Sequence, residues 1–439
     1  MSDVPLQTAD AEVLVEARLG RRPQDMLEAA VALEAWVGLP AQTALATASA
    51  LMRPDARDAE TSVGRIPAPS PRHGAVLEGL ALVMTVIAIA CWAAPLSSSL
   101  GAEVVERGLL IALPLTLALQ WALRARYLDR VDALAQLADR RALLLLGACA
   151  VAALPALAFG AAGALAGLLT VTWTAGTILV RRRWAAAYAT GVLLATLAMV
   201  ADAPALLVVA ATAALTCGAV AFALHGRARP NLRAPGHTER TLIALAIGGS
   251  LGLMLVLDDT VSWTEGAVPA LALLPSAVAA FWGGHHLRHL EMAIPRALSG
   301  ISAHAAVPRR IAWPPLRVLL GALARLLALC AALSATLLAL TPWLGTSSRS
   351  AGILAGFAVL AVATLLVSLL ESMGRGWWAL AAVGAAAAAE GAVRVAGTGS
   401  SPGTGLLVGG TLAVVLALPA VVALLSRPAS TLATALWIR

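Results

Sequence analysis

Residues 351–370 read AGILAGFAVLAVATLLVSLL, a run of apolar and small residues without a single charge. Residues 205–224, ALLVVAATAALTCGAVAFAL, have the same character. A helix of about 20 apolar residues crosses the roughly 30 Å hydrocarbon core of a bilayer. Both runs therefore predict transmembrane helices. The whole chain agrees, because 60% of its residues are hydrophobic and 13% are charged, against about 45–50% and 25% in soluble domains.

The other apolar runs bring the predicted count to twelve, so the predicted fold class is an all-α integral membrane protein. The twelve runs cover residues 75–97, 108–125, 142–160, 163–180, 184–200, 204–224, 241–257, 267–284, 316–344, 351–370, 377–396 and 405–425. The residues before the first run are polar, so we expect no cleavable signal peptide. The first membrane helix then acts as its own insertion signal.

The loops between these runs alternate in charge. All 31 basic residues are arginines. The loops on the side of the N-terminus contain Arg124, Arg126, Arg130, Arg140, Arg141, Arg181, Arg182, Arg183, Arg227, Arg229, Arg233, Arg240, Arg288, Arg296, Arg309 and Arg310. The opposite loops contain only Arg107, Arg349 and Arg394. Cytoplasmic loops of membrane proteins carry the excess of basic residues, so both termini are predicted to be cytoplasmic and the protein to be a multi-pass protein of the cytoplasmic membrane.

This distribution also argues against nucleic-acid binding, because the arginines line a membrane rim instead of one basic domain. The cysteines fall in different apolar runs without paired spacing, so neither a disulfide framework nor a zinc site is expected. No phosphate-binding loop, nucleophile elbow or His-Glu-x-x-His sequence occurs. We therefore expect a protein that is not an enzyme and needs no cofactor.

The chain is predicted to have six parts. Met26, Ala30, Leu33 and Val37 recur at helical spacing before a segment rich in proline and arginine. The parts are a cytoplasmic helical module at residues 1–53, a flexible linker at 54–74, a six-helix lobe at 75–225, an inter-lobe loop at 226–240, a second six-helix lobe at 241–427 and a cytoplasmic tail at 428–439. The module is either a docking site for a cytoplasmic partner or a passive extension.

Two landmarks recur in the same order in both lobes. Pro114 is followed by Trp121, as Pro275 is by Trp282. The sequence Arg182-Arg183-Trp184 corresponds in position to Gly374-Arg375-Gly376-Trp377. Because each lobe has an even number of crossings, the two have the same orientation, which predicts parallel repeats.

The C-terminal half carries a family resemblance. An amphipathic, proline-bearing segment at residues 290–315 precedes a helix that ends in Thr341-Pro342-Trp343-Leu344. A later helix continues into Leu370-Glu371-Ser372-Met373-Gly374-Arg375, followed by an alanine-rich helix and a glycine-rich turn. This order resembles the second lobe of the multidrug/oligosaccharidyl-lipid/polysaccharide (MOP) exporter superfamily, whose members commonly carry a Gly-Arg turn at that point.

The resemblance covers about residues 75–427 and implies two six-helix lobes around a cavity that opens alternately to each side. The polysaccharide and lipid-linked-oligosaccharide flippases of the superfamily are nearest. The expected function is thus export of a lipid-linked glycan precursor, with membrane lipids and that substrate as partners. The N-terminal module departs from the family pattern. Two alternatives stay open, a membrane-embedded glycosyltransferase or polymerase using polyprenyl-linked sugars, and a membrane-anchored interaction protein.

Charged residues within membrane helices cost about 2.5–3.5 kcal/mol at the helix centre, so they are the first candidates for a substrate path. Glu390 and Arg394 share one helix face, and a helix that stopped before Glu390 would be too short to span. They predict either a cavity lining or a mutually neutralising pair. Glu371 and Arg375 have the same spacing at a cytoplasmic helix end, where a structural pair is favoured.

Glu78 and Arg325 lie near cytoplasmic helix ends, where each either contacts an anionic lipid group or serves as an interfacial anchor. Asp258 and Asp259 end the seventh apolar run and are candidates for binding a coupling ion. His285, His286 and His289 are close in sequence, but no third ligand has an obvious position, so a titratable rim is favoured over a metal site. The tryptophans mostly flank helix ends and predict an aromatic belt.

Overall fold

The computed structural model describes Ala11, Val15, Pro23 and residues 26–37, 39–51, 72–125, 141–181, 184–224, 238–257, 268–275, 277, 308–340, 350–397 and 403–425. The chain separates into two compact units. The smaller unit comprises Met1–Ser70, Arg288–Leu320 and Val422–Arg439, and the larger comprises Pro71–Leu287 and Gly321–Val421.

Helices are the only regular elements of the described residues, as the sequence predicts. In chain order they are α1 (Met26–Val37), α2 (Ala41–Leu51), α3 (Arg72–Leu100), α4 (Ala102–Leu123), α5 (Arg141–Arg181), α6 (Ala185–Val200), α7 (Ala205–Ala223), α8 (Thr238–Leu257), α9 (Val268–Leu271), α10 (Pro308–Leu340), α11 (Ser350–Ser372), α12 (Gly376–Val395) and α13 (Thr404–Leu425). Eight described helices are long and apolar enough to cross a membrane. The chain is a multi-pass membrane protein with an all-α fold.

The long helix α5 is a hairpin of two crossings. Its chain reverses at Gly160, which has φ 58° and ψ −131°, a conformation that suits glycine because it has no Cβ. A Cβ added at Gly167 would lie 2.5 Å from the Ala152 carbonyl oxygen, and one at Gly163 would overlap the Pro155 carbonyl. Residues on either side of the reversal thus face each other. The runs predicted at 142–160 and 163–180 correspond to the two arms.

The packing of α3 against α6 independently confirms that α5 contains two crossings. Trp92 of α3 donates its indole N–H to Thr196 of α6 at 3.0 Å, and Thr85 bonds the Tyr188 hydroxyl at 3.2 Å. The sequence separation is almost the same at the two contacts, which means that the helices run parallel. Parallel helices need an odd number of crossings between them, and α4 with the two arms of α5 supplies three.

Helices α4 and α8 pack closely and antiparallel. Gly248 and Gly252 lie one turn apart on the same face of α8. A Cβ at Gly248 would overlap the Leu117 carbonyl oxygen, and one at Gly252 would overlap the backbone of Pro114. Small residues allow such backbone contact between membrane helices. The antiparallel direction is the one predicted for the second and seventh crossings.

The start of α13 packs against α8, α11 and α12. A Cβ at Gly409 would lie 3.0 Å from both the Ala386 carbonyl oxygen and the Met254 methyl group. At the other end of α12, a Cβ at Gly376 would lie 3.0 Å from Ile243. Helix α12 therefore contacts α8 at both ends in the same order, so these two helices run parallel, as the predicted alternation requires.

The smaller unit contains α1 and α2. Their shared core consists of short apolar side chains, namely Ala11, Val15, Ala29, Ala30, Ala32, Leu33, Ala44 and Ala48, with Met26, Leu39, Leu45 and Leu51 packed around it. Helix α2 begins directly after Pro40, whose carbonyl accepts the amide of Ala44 at 2.9 Å. The helical spacing of Met26, Ala30, Leu33 and Val37 thus corresponds to α1.

Two helices begin earlier than predicted. Helix α4 begins at Ala102, directly after Gly101, which has φ 90°. The Arg107 side chain bonds Glu103 one turn earlier at 2.6 Å, so these charged residues continue the helix instead of forming a loop. Helix α10 likewise begins at Pro308, within the segment expected to be amphipathic. Most of the run predicted at 267–284 lies outside the described residues.

Candidate functional site

A buried carboxylate marks the end of α11. Glu371 lies in the last turn of that helix and its residue is only 3% exposed. The helix stops at Ser372, and Gly374 then takes φ 75°, which redirects the chain into α12. An ionised carboxylate so deeply buried requires opposite charges or hydrogen-bond donors close by.

Two arginines from other helices meet this carboxylate. Arg124 follows the last residue of α4, and its Nη2 lies 2.8 Å from Oε2 of Glu371. Arg240 lies in the first turn of α8, and its Nη2 lies 3.4 Å from Oε1. Each carboxylate oxygen therefore has its own guanidinium. We call Glu371, Arg124 and Arg240 the Glu371 cluster.

The Glu371 cluster connects the two predicted lobes. Arg124 belongs to the predicted first lobe and Glu371 to the predicted second lobe. Arg240 is the last residue of the predicted inter-lobe loop and lies on α8, which continues into the second lobe. All three lie at helix ends that the alternation places on the cytoplasmic side. With two positive charges and one negative charge, the cluster has a formal net charge of +1.

Trp121 supports the Arg124 side chain from within α4. The guanidinium carbon of Arg124 lies 4.6 Å from the centre of the Trp121 ring. A guanidinium over an indole face gains a cation–π attraction of about 0.5–2 kcal/mol. Trp121 is itself buried. The Trp121 ring therefore limits the conformations that the Arg124 side chain can adopt.

A second polar contact lies beside the cluster, between α8 and α12. The indole N–H of Trp377 donates to Oε1 of Glu239 at 3.1 Å. Trp377 and Trp378 are largely exposed, as expected of an aromatic belt. Trp92 differs from that prediction, because it is buried and bonds Thr196 inside the first lobe.

The spacing of Glu371 and Arg375 does not bring their side chains together. Glu371 pairs with Arg124 and Arg240, while Arg375 is exposed and precedes the first residue of α12. The physical reason is the turn at Gly374, which ends the helical repeat before Arg375 is reached. Four-residue spacing places two residues on one face only while the helix continues.

Glu390 and Arg394 both lie on α12, near its other end. Glu390 is 1% exposed and Arg394 is exposed. A Cβ added at Gly409 would lie 3.2 Å from Oε2 of Glu390, so the carboxylate faces α13. Met254 of α8 approaches the same glycine. The helix does continue past Glu390, as the length argument predicted.

Among the remaining predicted site residues, Glu78 is half-buried in α3, and Arg325 is exposed on α10. Asp258, Asp259 and the three histidines lie outside the described residues. Within the described ranges, no group of three or more His, Cys, Asp or Glu residues could hold a metal ion.

Sequence reasoning did not identify Arg124 and Arg240 as site residues. Both were counted only as members of the positive rim. A signal was nevertheless present, because Glu371 ends a strongly apolar helix and a buried acid needs a cation. The predicted alternation already placed the ends of α4 and α11 and the start of α8 on one side.

Two solved structures resemble the chain. One is the outward-facing conformation of a multidrug resistance MATE family transporter of the MOP superfamily, with 14% identity, a TM-score of 0.41, and coverage of 84% of this chain and 95% of that chain. The other is a MOP superfamily transporter from Pyrococcus furiosus, with 16% identity, a TM-score of 0.35 and the same coverage, 84% and 95%.

Both structures belong to the superfamily that the C-terminal half resembles. No protein-family model matches the sequence, and no curated protein matches it.

Proposed function

We propose that the chain is a membrane transporter of the MOP type, which flips an anionic, lipid-linked glycan precursor across the cytoplasmic membrane by alternating access. The observation that carries the proposal is the Glu371 cluster. A buried ion network that joins helices from both predicted lobes at one membrane face is suited to a closure that forms in one state and separates in the other.

The energetics of the cluster suit a reversible contact. Burying charges costs several kcal/mol per ion, and the mutual attraction repays that cost only while the geometry is held. Arg124 and Arg240 keep partial contact with solvent, with side chains 16% and 23% exposed. When the lobes separate, both guanidiniums can therefore regain water or another anion, so the open state does not leave them without solvation.

A substrate with a phosphate or pyrophosphate group has the chemistry to compete for these arginines. Guanidinium binds carboxylate and phosphate with the same forked geometry. In the proposed mechanism, an anionic headgroup that arrives from the cytoplasm pairs with Arg124 and Arg240 and displaces Glu371. The contact between the lobes then separates only when substrate is present, which couples opening to loading.

The other charged residues have proposed places along the path. Glu390 and Arg394 lie towards the outer end of α12, where a polar part of the glycan would pass. Glu78, Arg325 and Arg375 are proposed to line the substrate path at the cytoplasmic face. Asp258 and Asp259 remain the proposed coupling-ion site, and residues 1–53 a proposed contact for a cytoplasmic partner.

The test uses chemical crosslinks in a cysteine-free background, in which Cys91, Cys149, Cys217 and Cys330 are replaced by alanine. The variant Leu123→Cys/Ser372→Cys connects the two proposed lobes at the residues next to Arg124 and Glu371, and it leaves the Glu371 cluster intact. The matched control, Glu239→Cys/Trp377→Cys, connects α8 to α12, two helices of the second lobe whose side chains bond at 3.1 Å. Each is reconstituted in vesicles with a fluorescent polyprenyl-pyrophosphate disaccharide, and flipping is measured before and after a short bis-maleimide.

Crosslinking should stop flipping in the first variant and leave the control at its rate before crosslinking. Equal flipping rates in the two crosslinked variants would contradict a contact between the lobes that separates during transport. Absence of flipping in the cysteine-containing parent protein would contradict the substrate class.

A further inference from the structure

An apolar pocket lies in the first lobe, and none of the three residues of the Glu371 cluster lines it. It has a volume of about 210 Å³ and is lined by the end of α4, the two arms of α5 and the end of α7. The lining side chains are almost entirely hydrocarbon. Leu119, Leu123, Val151, Ile178 and Val220 represent the four walls, and Thr174 and Cys217 supply the polar side-chain atoms.

The pocket lies within the cytoplasmic leaflet on the predicted topology. Leu123 is the last residue of α4, Leu143 lies in the first turn of α5, and Leu224 caps the end of α7. These helix ends border the loops that carry the predicted cytoplasmic arginines. The pocket is open at its side, because its lining residues Leu143 and Leu145 are exposed by 63% and 44%. In a membrane these leucines face lipid.

Arginines occupy the helix ends that border the pocket. Arg124 follows Leu123, Arg141 begins α5, and Arg181 ends it, with Arg182 and Arg183 next in the sequence. Basic residues at this depth attract anionic lipid headgroups. An apolar pocket in the leaflet with positive charge at its polar end therefore has the charge pattern of one inner-leaflet lipid with a phosphate headgroup.

We infer that this pocket binds one hydrocarbon chain of an anionic, phosphate-bearing lipid of the cytoplasmic leaflet. A dry apolar cavity of roughly 150 Å³ already accepts a small hydrocarbon such as benzene. This pocket is larger, and its open side allows the rest of the chain to continue into the bilayer. The inference deepens the proposed function, since a lipid-linked glycan carries such a chain and such a phosphate.

Two glycines provide a matched pair of variants. A Cβ built at Gly147, which lines the pocket, meets no atom within 4 Å, and the same holds for Gly191 on α6, outside the pocket. Gly147→Phe places a ring in the pocket, whereas Gly191→Phe places the same ring on another exposed helix surface. Both substitutions have the same effect on intrinsic helix propensity.

The experiment measures binding without transport. The full chain is placed in nanodiscs with phosphatidylglycerol that carries a diazirine in its acyl chain, and photo-adducts are located by mass spectrometry. In the unmodified chain, the acyl adducts should concentrate on peptides from the end of α4, both arms of α5 and the end of α7. Gly147→Phe should lower them about tenfold, the factor expected from losing two buried methylene groups. Gly191→Phe should match the unmodified chain.

Adducts spread evenly over all lipid-facing helices would overturn the inference, as would equal labelling of the two variants. Equal labelling by a phosphatidylcholine probe of the same chain would overturn the preference for an anionic lipid. The adduct map of the unmodified chain decides the matter even when Gly147→Phe fails to accumulate. A chain that forms the expected adducts but flips no substrate keeps this pocket and loses the transport proposal.

Discussion

Two buried carboxylates of the predicted second lobe, Glu371 and Glu390, differ in what surrounds them. Glu371 ends its helix and pairs with arginines from α4 and α8. Glu390 lies inside α12, one turn before the exposed Arg394, and faces Gly409 of α13. The first carboxylate connects helices that are far apart in sequence, whereas the second is embedded where three helices pack. In the proposed function, Glu371 forms the closure and Glu390 lies on the substrate path.

The largest effect is expected from removing the carboxylate of Glu371. The variant Glu371→Ala leaves two arginines without their shared partner, and breaking a buried ion network in this way costs about 3–5 kcal/mol. We expect a clear fall in the temperature of thermal unfolding in detergent. The variant Glu371→Asp keeps the charge and serves as the control, with a smaller fall. A wild-type unfolding temperature for Glu371→Ala would mean that the cluster does not stabilise the folded protein.

The next largest effect is expected from replacing Arg124, and a smaller one from replacing Arg240. Arg124→Ala removes the contact of 2.8 Å together with the Trp121 stacking, and should cost about 2–3 kcal/mol, whereas Arg240→Ala removes the contact of 3.4 Å and should cost about 1 kcal/mol. Only Arg124→Ala should also increase labelling of a cysteine at Leu123 by a cytoplasmic thiol reagent. A larger loss of stability in Arg240→Ala than in Arg124→Ala would contradict the contact between the lobes.

A smaller effect on stability, with a large effect on transport, is expected at the other carboxylate. Replacing both charges in Glu390→Leu/Arg394→Met should change unfolding stability by about 1 kcal/mol or less, because leucine at the buried position 390 has no charge to desolvate and Arg394 is exposed. Flipping per folded protein should fall. Single replacements cannot distinguish the two roles, since each leaves one charge behind. Undiminished flipping in the double variant would remove this pair from the path.

The smallest effect provides the baseline for the others. Glu103 and Arg107 form an exposed ion pair on α4, with side chains 76% and 68% exposed. An exposed pair contributes about 0.2–1 kcal/mol and weakens with salt. Glu103→Gln should therefore leave the unfolding temperature within about one degree of the parent and leave flipping unchanged. If Glu103→Gln lowered the unfolding temperature as much as Arg124→Ala does, solvent exposure would not explain why the two ion pairs contribute differently to stability.

Much of the fold follows from the sequence, because the bilayer imposes simple requirements on length and composition. Uncharged runs such as residues 351–370 must be helical across the hydrocarbon core, since backbone groups there have no water to bond. The arginine alternation predicts the same relative directions that the α3–α6 and α4–α8 contacts show. Helix starts were less accurate, because local pairs such as Glu103 with Arg107 extend a helix beyond its apolar run.

Charge and hydrophobicity along the chain thus determined that this protein is an all-helical membrane protein and which helix ends share a side. Only the tertiary structure decided which charges meet. Glu371 could have paired with Arg375 on its own helix, but the turn at Gly374 and the close packing of α8 on α4 bring Arg124 and Arg240 to it instead. Periodicity describes neighbours within one helix, whereas contacts between helices depend on how the small residues at their interfaces allow the backbones to approach.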